Sequence, residues 1–257
     1  MWRLQTRFLL ALLILVAISL TAQALLPFPI PKLVLLDRDG VINQDVGAPG
    51  ITSISQLQLH QHVGTAIAKL KQRGCRVVII TNQSCVGKGL LELQGLHDIH
   101  EEMQRLLMAE DSDATLDQIY VCTAVNNDNP RKKPNTGMVI EACSDWKIHP
   151  SEAVFVGDTL TDMQAAKAGG VHNRILVQTG YGLDIMGKEE APSSPMVMKA
   201  CDLAKSQSHM SIVTPFAYAQ DLPTAIQWLL HGSEGRKSSG EQSPNNFFSF
   251  EKTGFTT

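Results

Sequence analysis

Asp37 and Asp39 stand two residues apart, directly after the apolar run 33–36. A short, continuous apolar run that ends in charge and glycine is the pattern of a parallel strand buried on both faces and stopping at a loop. In an open α/β sheet, ligands sit at the carboxyl ends of the strands, so this strand delivers two carboxylates to the place where chemistry is done. Three later stretches have the same form. Residues 76–80 lead to Thr81, Asn82, Gln83 and Ser84. Residues 119–122 lead to a polar loop carrying Lys132 and Lys133. Residues 153–157 lead to Asp158, with Asp162 four positions on. Converging carboxylates repel one another unless a cation sits among them, and hard oxygen donors suit Mg²⁺. A lysine and a hydroxyl suit phosphate oxygens. The set therefore fits Mg²⁺ and a phosphoryl group held side by side.

A carboxylate can attack phosphorus to give an aspartyl-phosphate. Asp37 is the better-placed nucleophile because it ends the buried strand. Asp39 is placed to protonate the leaving oxygen and then to activate water. Lys133 would offset charge on the phosphoryl oxygens, with Thr81 and the Asn82 backbone donating hydrogen bonds. Two residues admit a second role. Asp158 stands where it could cap the helix that follows, and Asp162 could reach the cation or orient Lys133.

The elements that must position these residues alternate. Helices are expected at 61–72, 92–107, 136–147, 160–168 and 221–230, and strands at 33–36, 76–80, 119–122, 153–157 and 174–179. Val63, Ile67 and Leu70 share one helix face; Leu93, Leu96, Ile99, Met103 and Leu106 share another. Such alternation predicts an α/β protein with a doubly wound, mostly parallel sheet. The stretch 180–210 is polar and serine-rich and reads as a mobile insertion, 212–213 as a short edge strand, and 231–257 as a disordered tail.

The formal charge of -3 gives no electrostatic case for nucleic acid or an anionic membrane surface. The five cysteines form no Cys-x-x-Cys pair, so neither a disulfide framework nor a zinc knuckle is readable. Cys85, beside the Thr81–Ser84 segment, reads as a packed small residue. Residues 1–24 combine Arg3 and Arg7, the apolar run 8–20 and Ala22-Gln23-Ala24. That is the form of a secretory signal peptide, which predicts the secretory pathway or an organelle reached through it. An uncleaved anchor running through 25–30 would be the one route to a membrane, though Pro27, Pro29 and Pro31 oppose it. A cytoplasmic protein follows if the leader is not functional.

DRDG at 37–40, Thr81-Asn82, Lys133-Pro134 and the Gly157-Asp158…Asp162 segment resemble, in order, the four motifs of the haloacid dehalogenase superfamily of phosphohydrolases. DRDGVINQD, TNQS, RKKPNTGM and VGDTLTDMQAAKAGGV are similar to the heptose 1,7-bisphosphate 7-phosphatase and histidinol-phosphatase group. The resemblance covers about 32–179 and resumes at 219–230, making 32–230 one phosphatase domain. It implies a Rossmannoid fold and a Mg²⁺-dependent phosphomonoesterase. The substrate it implies is a small phosphorylated metabolite, with a sugar phosphate such as heptose 1,7-bisphosphate first. It further implies metal ligation by the side chains of Asp37 and Asp158 and the carbonyl of Asp39, with Asp162 nearby. Substrate contacts fall on the segment holding Asp45 and Gly47, on Thr81, Asn82, Gln83 and Ser84, and on Lys132 and Lys133.

Cap domains of this superfamily lie between the first and second or second and third motifs; neither gap here is long enough, so a capless enzyme with an open site is expected, and a monomer is favoured over an oligomer. Many members of the group bind zinc through a Cys-x-His…Cys-x-Cys loop. Here Ala124 stands at the His position and no Cys lies between Cys122 and Cys143, so no structural zinc is expected. Lys132 replaces the usual Arg and Ala48 the usual aromatic. Histidinol-phosphate phosphatase, a polynucleotide 3′-phosphatase and a catalytically silent interaction protein are the rival readings. The acidic balance and the lack of a basic or aromatic stripe oppose a nucleic-acid substrate, and the complete motif set opposes a silent fold.

Overall fold

The computed structural model describes residues 30–186, 198–199 and 217–231. The leader, most of 180–210, the strand at 212–213 and all of the tail except His231 lie outside the described residues. The strands are β1 (Leu33–Leu36), β2 (Arg76–Asn82), β3 (Gln118–Cys122), β4 (Ala153–Gly157), β5 (Asn173–Val177), β6 (Met198–Lys199) and β7 (Ala217–Ala219). They form one sheet in the order β3-β2-β1-β4-β5-β7-β6. Every pairing is parallel except that of β6 with β7.

β1 lies between β2 and β4, with Leu33 opposite Arg76 on one side and Ala153 on the other. Its four side chains alternate. Val34 and Leu36 enter the core on one face of the sheet, Leu33 and Leu35 the core on the other. A strand covered on both faces needs apolar residues at every position, which is why this run has no polar interruption. Full burial of each such side chain contributes roughly 1.5–3 kcal/mol.

The first face is covered by α1 (Val63–Gln72), α3 (Leu93–Glu110) and α7 (Leu222–His231). The second is covered by α4 (Gly137–Asp145) and α5 (Leu160–Ala168). Short helices α2 (Ser84–Gly87) and α6 (Gly182–Met186) follow β2 and β5. On α1, Val63, Ile67 and Leu70 are all buried, as their spacing predicts. On α3 the buried stripe is Leu96, Ile99, Met103 and Leu107. Leu93, expected on it, opens the helix and is 68% exposed; Leu106 packs only partly. Asp117 anchors the start of β3 by accepting from the Val77 backbone and pairing with Lys71 and Arg76. Between the motifs where a cap would be inserted, the chain forms only loops, one 3-10 turn and these core elements.

Candidate active site

Asp37 continues the β1 ladder, its N–H donating to the Val156 carbonyl at 3.0 Å. Its carboxylate is therefore fixed at the end of the central strand. Asp158 follows β4, the neighbouring strand, and Asp162 lies in the first turn of α5. One ligand oxygen from each of these three buried carboxylates lies within 4.8 Å of the others. Lys133 enters the same space, with Nζ 2.8 Å from Asp37 Oδ1 and 2.6 Å from Asp162 Oδ1. Nζ also donates to the Ile80 carbonyl at 2.9 Å. An ammonium has three protons, so Lys133 has no spare donor. Asn82 holds it there: its side-chain amide accepts from the Lys133 N–H and donates to the Lys133 carbonyl, both at 3.0 Å.

Three carboxylates against one ammonium leave the cluster over-negative, and burial makes that expensive. Burial first, then the Asp162 charge, push the Asp37 pKa up to about 7. Burial, then Asp37 and Asp162, push that of Asp158 up to about 8. Lys133 moves the other way: burial disfavours its charge, but Asp162 and Asp37 outweigh burial and hold its pKa above the ordinary value. Asp158 Oδ2 accepts from the Tyr181 N–H at 3.0 Å, whereas Oδ1 is buried without a hydrogen-bond partner. An unpartnered buried carboxylate oxygen is costly unless a ligand meets it. Asp37, Asp158 and Asp162 thus offer hard oxygens, excess negative charge and an open coordination point, a donor set that fits a divalent cation.

The backbone around Asp158 is tightly fitted. Gly40, at φ 79°, and Gly180, at φ 61°, each have the Asp158 carboxylate where a Cβ would sit. The capping role weighed for Asp158 is not the one observed. Thr159 is the N-cap of α5, and its side chain and the Asp162 carboxylate form a reciprocal capping box. That box fixes Asp162 with one oxygen on Thr159 and the other toward Lys133, so the ion-pair role foreseen for Asp162 is present.

Asp39 faces a different set of partners. Its oxygens accept from Arg38 Nε and Nη2, from Asn43 Nδ2 at 2.9 Å and from Gln83 Nε2 at 2.8 Å. Burial opposes its ionisation, but Arg38, Asn43 and Gln83 prevail and lower its pKa. Gln83 also donates to Thr81 Oγ1 at 2.9 Å. The second strand end is thereby tied to the first. Cys85 is buried, its thiol 3.7 Å from the Gln83 amide oxygen.

The remaining predicted residues belong to the rim. Asp45 Oδ1 accepts from the Gly47 N–H at 3.2 Å and its carboxylate pairs with the exposed Tyr181 phenol. Lys132 Nζ donates to the Val125 carbonyl at 2.6 Å, and Ser84 Oγ to the Ala124 carbonyl at 2.9 Å. The structure thus brings together Asp37, Asp158, Asp162 and Lys133, and links Asp39, Thr81 and Gln83. It directs the side chains of Asp45, Ser84 and Lys132 to other loops. Sequence reasoning missed Arg38, Asn43, Tyr181 and His100, whose Nε2 lies 3.1 Å from Arg38 Nη1. The available signal was a polar residue, His100, at a stripe position of α3, one turn after Leu96.

A family model described as haloacid dehalogenase-like hydrolase matches residues 50–170. The D-glycero-D-manno-heptose-1,7-bisphosphate 7-phosphatase of Thermosynechococcus vestitus is 31% identical over 207 residues, covering 76% of this chain and 94% of that protein. The D-glycero-beta-D-manno-heptose-1,7-bisphosphate 7-phosphatase of Bordetella bronchiseptica is 34% identical over 174 residues, 67% of this chain and 94% of that protein. Among solved structures, the D,D-heptose 1,7-bisphosphate phosphatase from B. bronchiseptica, complexed with magnesium and phosphate, superposes with a TM-score of 0.63. It shows 30% identity and covers 77% of this chain and 98% of its own. Motif order, strand-end placement and these relatives agree: the chain belongs to the haloacid dehalogenase-like hydrolases and is a phosphoric monoester hydrolase.

Proposed function

We propose that the chain is a Mg²⁺-dependent phosphomonoesterase that acts on a small sugar phosphate, heptose 1,7-bisphosphate being the first candidate, through an aspartyl-phosphate on Asp37. The observation that carries this reading is the buried Asp37, Asp158, Asp162 and Lys133 cluster at the ends of adjacent strands. Bound Mg²⁺ would be held by Asp37 and Asp158, with Asp162 beside them, and would neutralise charge on the phosphoryl oxygens.

The rest follows from the chain's own groups. Asp37 Oδ1 accepts from the Arg38 N–H at 2.7 Å and faces Lys133, which leaves Oδ2 as the oxygen free to attack phosphorus. As the Asp37–phosphorus bond forms, the bond to the ester oxygen breaks, and that oxygen takes the proton of the Asp39 carboxylic acid; Arg38, Asn43 and Gln83 favour the ionised form, so Asp39 has to take up that proton when substrate binds. Asp39 then takes a proton from water, whose oxygen attacks phosphorus, releasing inorganic phosphate and restoring the Asp37 carboxylate. Lys133 contributes fixed positive charge and orients Asp37, since its donors are already spent on the protein. The relatives' substrates support a sugar phosphate.

Phosphate release from a panel of phosphomonoesters, heptose 1,7-bisphosphate among them, tests the proposal with and without Mg²⁺. Hydrolysis should require Mg²⁺ and fall away in Asp37→Asn. Equal rates for wild type and Asp37→Asn on every ester would sink the mechanism, and a preference for esters lacking a sugar would sink the substrate class.

A further inference from the structure

Arg38 lies between Asp37 and Asp39 in the chain, and its guanidinium meets Asp39 and His100. Its side chain is fully buried. One edge of the guanidinium grips Asp39, with Nη2 at 2.9 Å from both carboxylate oxygens and Nε at 3.2 Å from Oδ1. The other edge meets His100 Nε2 at 3.1 Å. A guanidinium only donates, so His100 must accept, and its ring must be the neutral tautomer with the proton on Nδ1. Burial and the Arg38 cation push the His100 pKa down to about 4, which keeps it an acceptor at neutral pH.

α3 is built to bring this acceptor in. The buried residues Leu96, Ile99, Met103 and Leu107 recur at helical spacing, and His100 lies one position from Ile99 and one turn after Leu96. It is a half-buried polar residue on the face that packs on the sheet. Were it apolar, Arg38 Nη1 would be a buried charged donor without a partner, which a structure relieves by moving the group. The guanidinium could then no longer hold both Asp39 oxygens in one geometry. Asn43 and Gln83 would remain on Asp39, but each reaches only one oxygen.

We propose that His100 is a positioning residue for the reaction: through Arg38 it sets the orientation of the Asp39 carboxylate at the leaving oxygen. The inference rests on the reading of Asp39 as the proton donor. An acid matters most when the leaving group is a poor one. The test therefore compares kcat/KM for p-nitrophenyl phosphate and for a simple alkyl phosphate, with Mg²⁺ present, in the full chain.

His100→Leu should lower kcat/KM on the alkyl ester by about tenfold while changing the aryl ester by less than about threefold, a misplacement effect on proton transfer alone. His100→Gln, whose amide oxygen can accept from Arg38, should recover most of the loss. Should His100→Leu fail to fold on a thermal melt, His100→Ala carries the same comparison. Equal losses on both esters, or Gln no better than Leu, would mean a merely structural role and overturn the inference. Asp39→Asn separates the two levels. If it shows the alkyl-selective loss and His100→Leu does not, the positioning role fails while the acid survives. If Asp39→Asn shows no selectivity, the acid reading fails and takes the inference with it.

Discussion

Lys133 and Lys132 are neighbours in sequence and occupy different media. Lys133 is 5% exposed and spends its ammonium on Asp37, Asp162 and the Ile80 carbonyl. Lys132 is half-buried and donates to a carbonyl of the loop after β3. The same contrast runs through the whole site. Its floor is made of strand-end groups held by backbone ladders, a capping box and the Asn82 clamp. Its rim is made of loop side chains holding one another. A floor whose charged groups are tied to one another would fix a reaction; a rim whose bonds can be exchanged for bonds to a ligand would select what enters. On the proposed function, reaction and specificity would be carried by separable parts of one short surface.

The largest test of that division is on the floor. Asp37→Asn keeps the shape of the side chain and removes the carboxylate proposed as nucleophile, so turnover should fall by well over about 10⁴-fold on every substrate. A loss that varied strongly between esters would mean that Asp37 also reads the substrate and that the division is wrong. Lys133→Met comes next. It removes the one side-chain cation paired with Asp37 and Asp162 among the described residues, and should cost about 10²–10³ in kcat. It should also lower stability by roughly 3–5 kcal/mol in denaturant unfolding, since it breaks a buried ion pair. An unchanged midpoint would show that the carboxylates shed their charge by taking up protons instead.

Asp37 and Asp158 were legible in the sequence because each ends an apolar run. β1 announces Asp37 by having no polar interruption, and β4 announces Asp158 the same way. What surrounds them was not legible. Arg38 looks like any charged residue in a turn, and nothing in its spacing says that it is fully buried between Asp39 and His100, 62 positions downstream. Asp158 was readable equally as a cap, and only the local backbone decided that Thr159 takes that role. The loops defeated sequence reasoning for a different reason. Periodicity locates elements but does not orient side chains that lie between them, so Lys132, Asp45 and Ser84 could be placed near the site without their partners.

A third test uses charge rather than shape. In the metal-free fold Asp37 and Asp158 have pKa values near 7 and near 8, against an ordinary 3.8. Between those limits the folded state binds more protons than the unfolded chain, so these two groups make stability fall as pH rises. His60, His100 and His231, whose pKa values are lowered, act oppositely below their ordinary value of 6.5. Comparing wild type with Asp158→Asn cancels that contribution. Without metal the variant should melt above wild type at pH 8, by a margin that shrinks toward pH 5. Mg²⁺ should raise the wild-type melting temperature more at pH 8 than at pH 6, because protons no longer compete for the carboxylates, and should do little for the variant. A margin that stayed constant with pH would mean that Asp158 is not strained by its neighbours.

The smallest effect is expected at the rim, and there the argument turns on exchange. Lys132 gives up one bond, to the Val125 carbonyl, when it turns to a ligand. The replacement, an ammonium on a phosphate oxygen, pairs two ions where the bond it displaces pairs an ion with a neutral carbonyl, and is the stronger of the two. Solvent at this half-exposed position discounts the gain to at most about 1 kcal/mol. Lys132→Ala should accordingly raise KM by no more than about fivefold, with kcat nearly unchanged. The effect should be larger on a bisphosphate than on the matching monophosphate if the amine meets the second phosphate. Lys132→Arg adds a planar fork that a lone ammonium lacks, and should shift KM in the opposite direction on the same pair. If instead Lys132→Ala lowered kcat as Lys133→Met does, the rim would share in the transition state, and the boundary drawn between these two lysines would have to move outward.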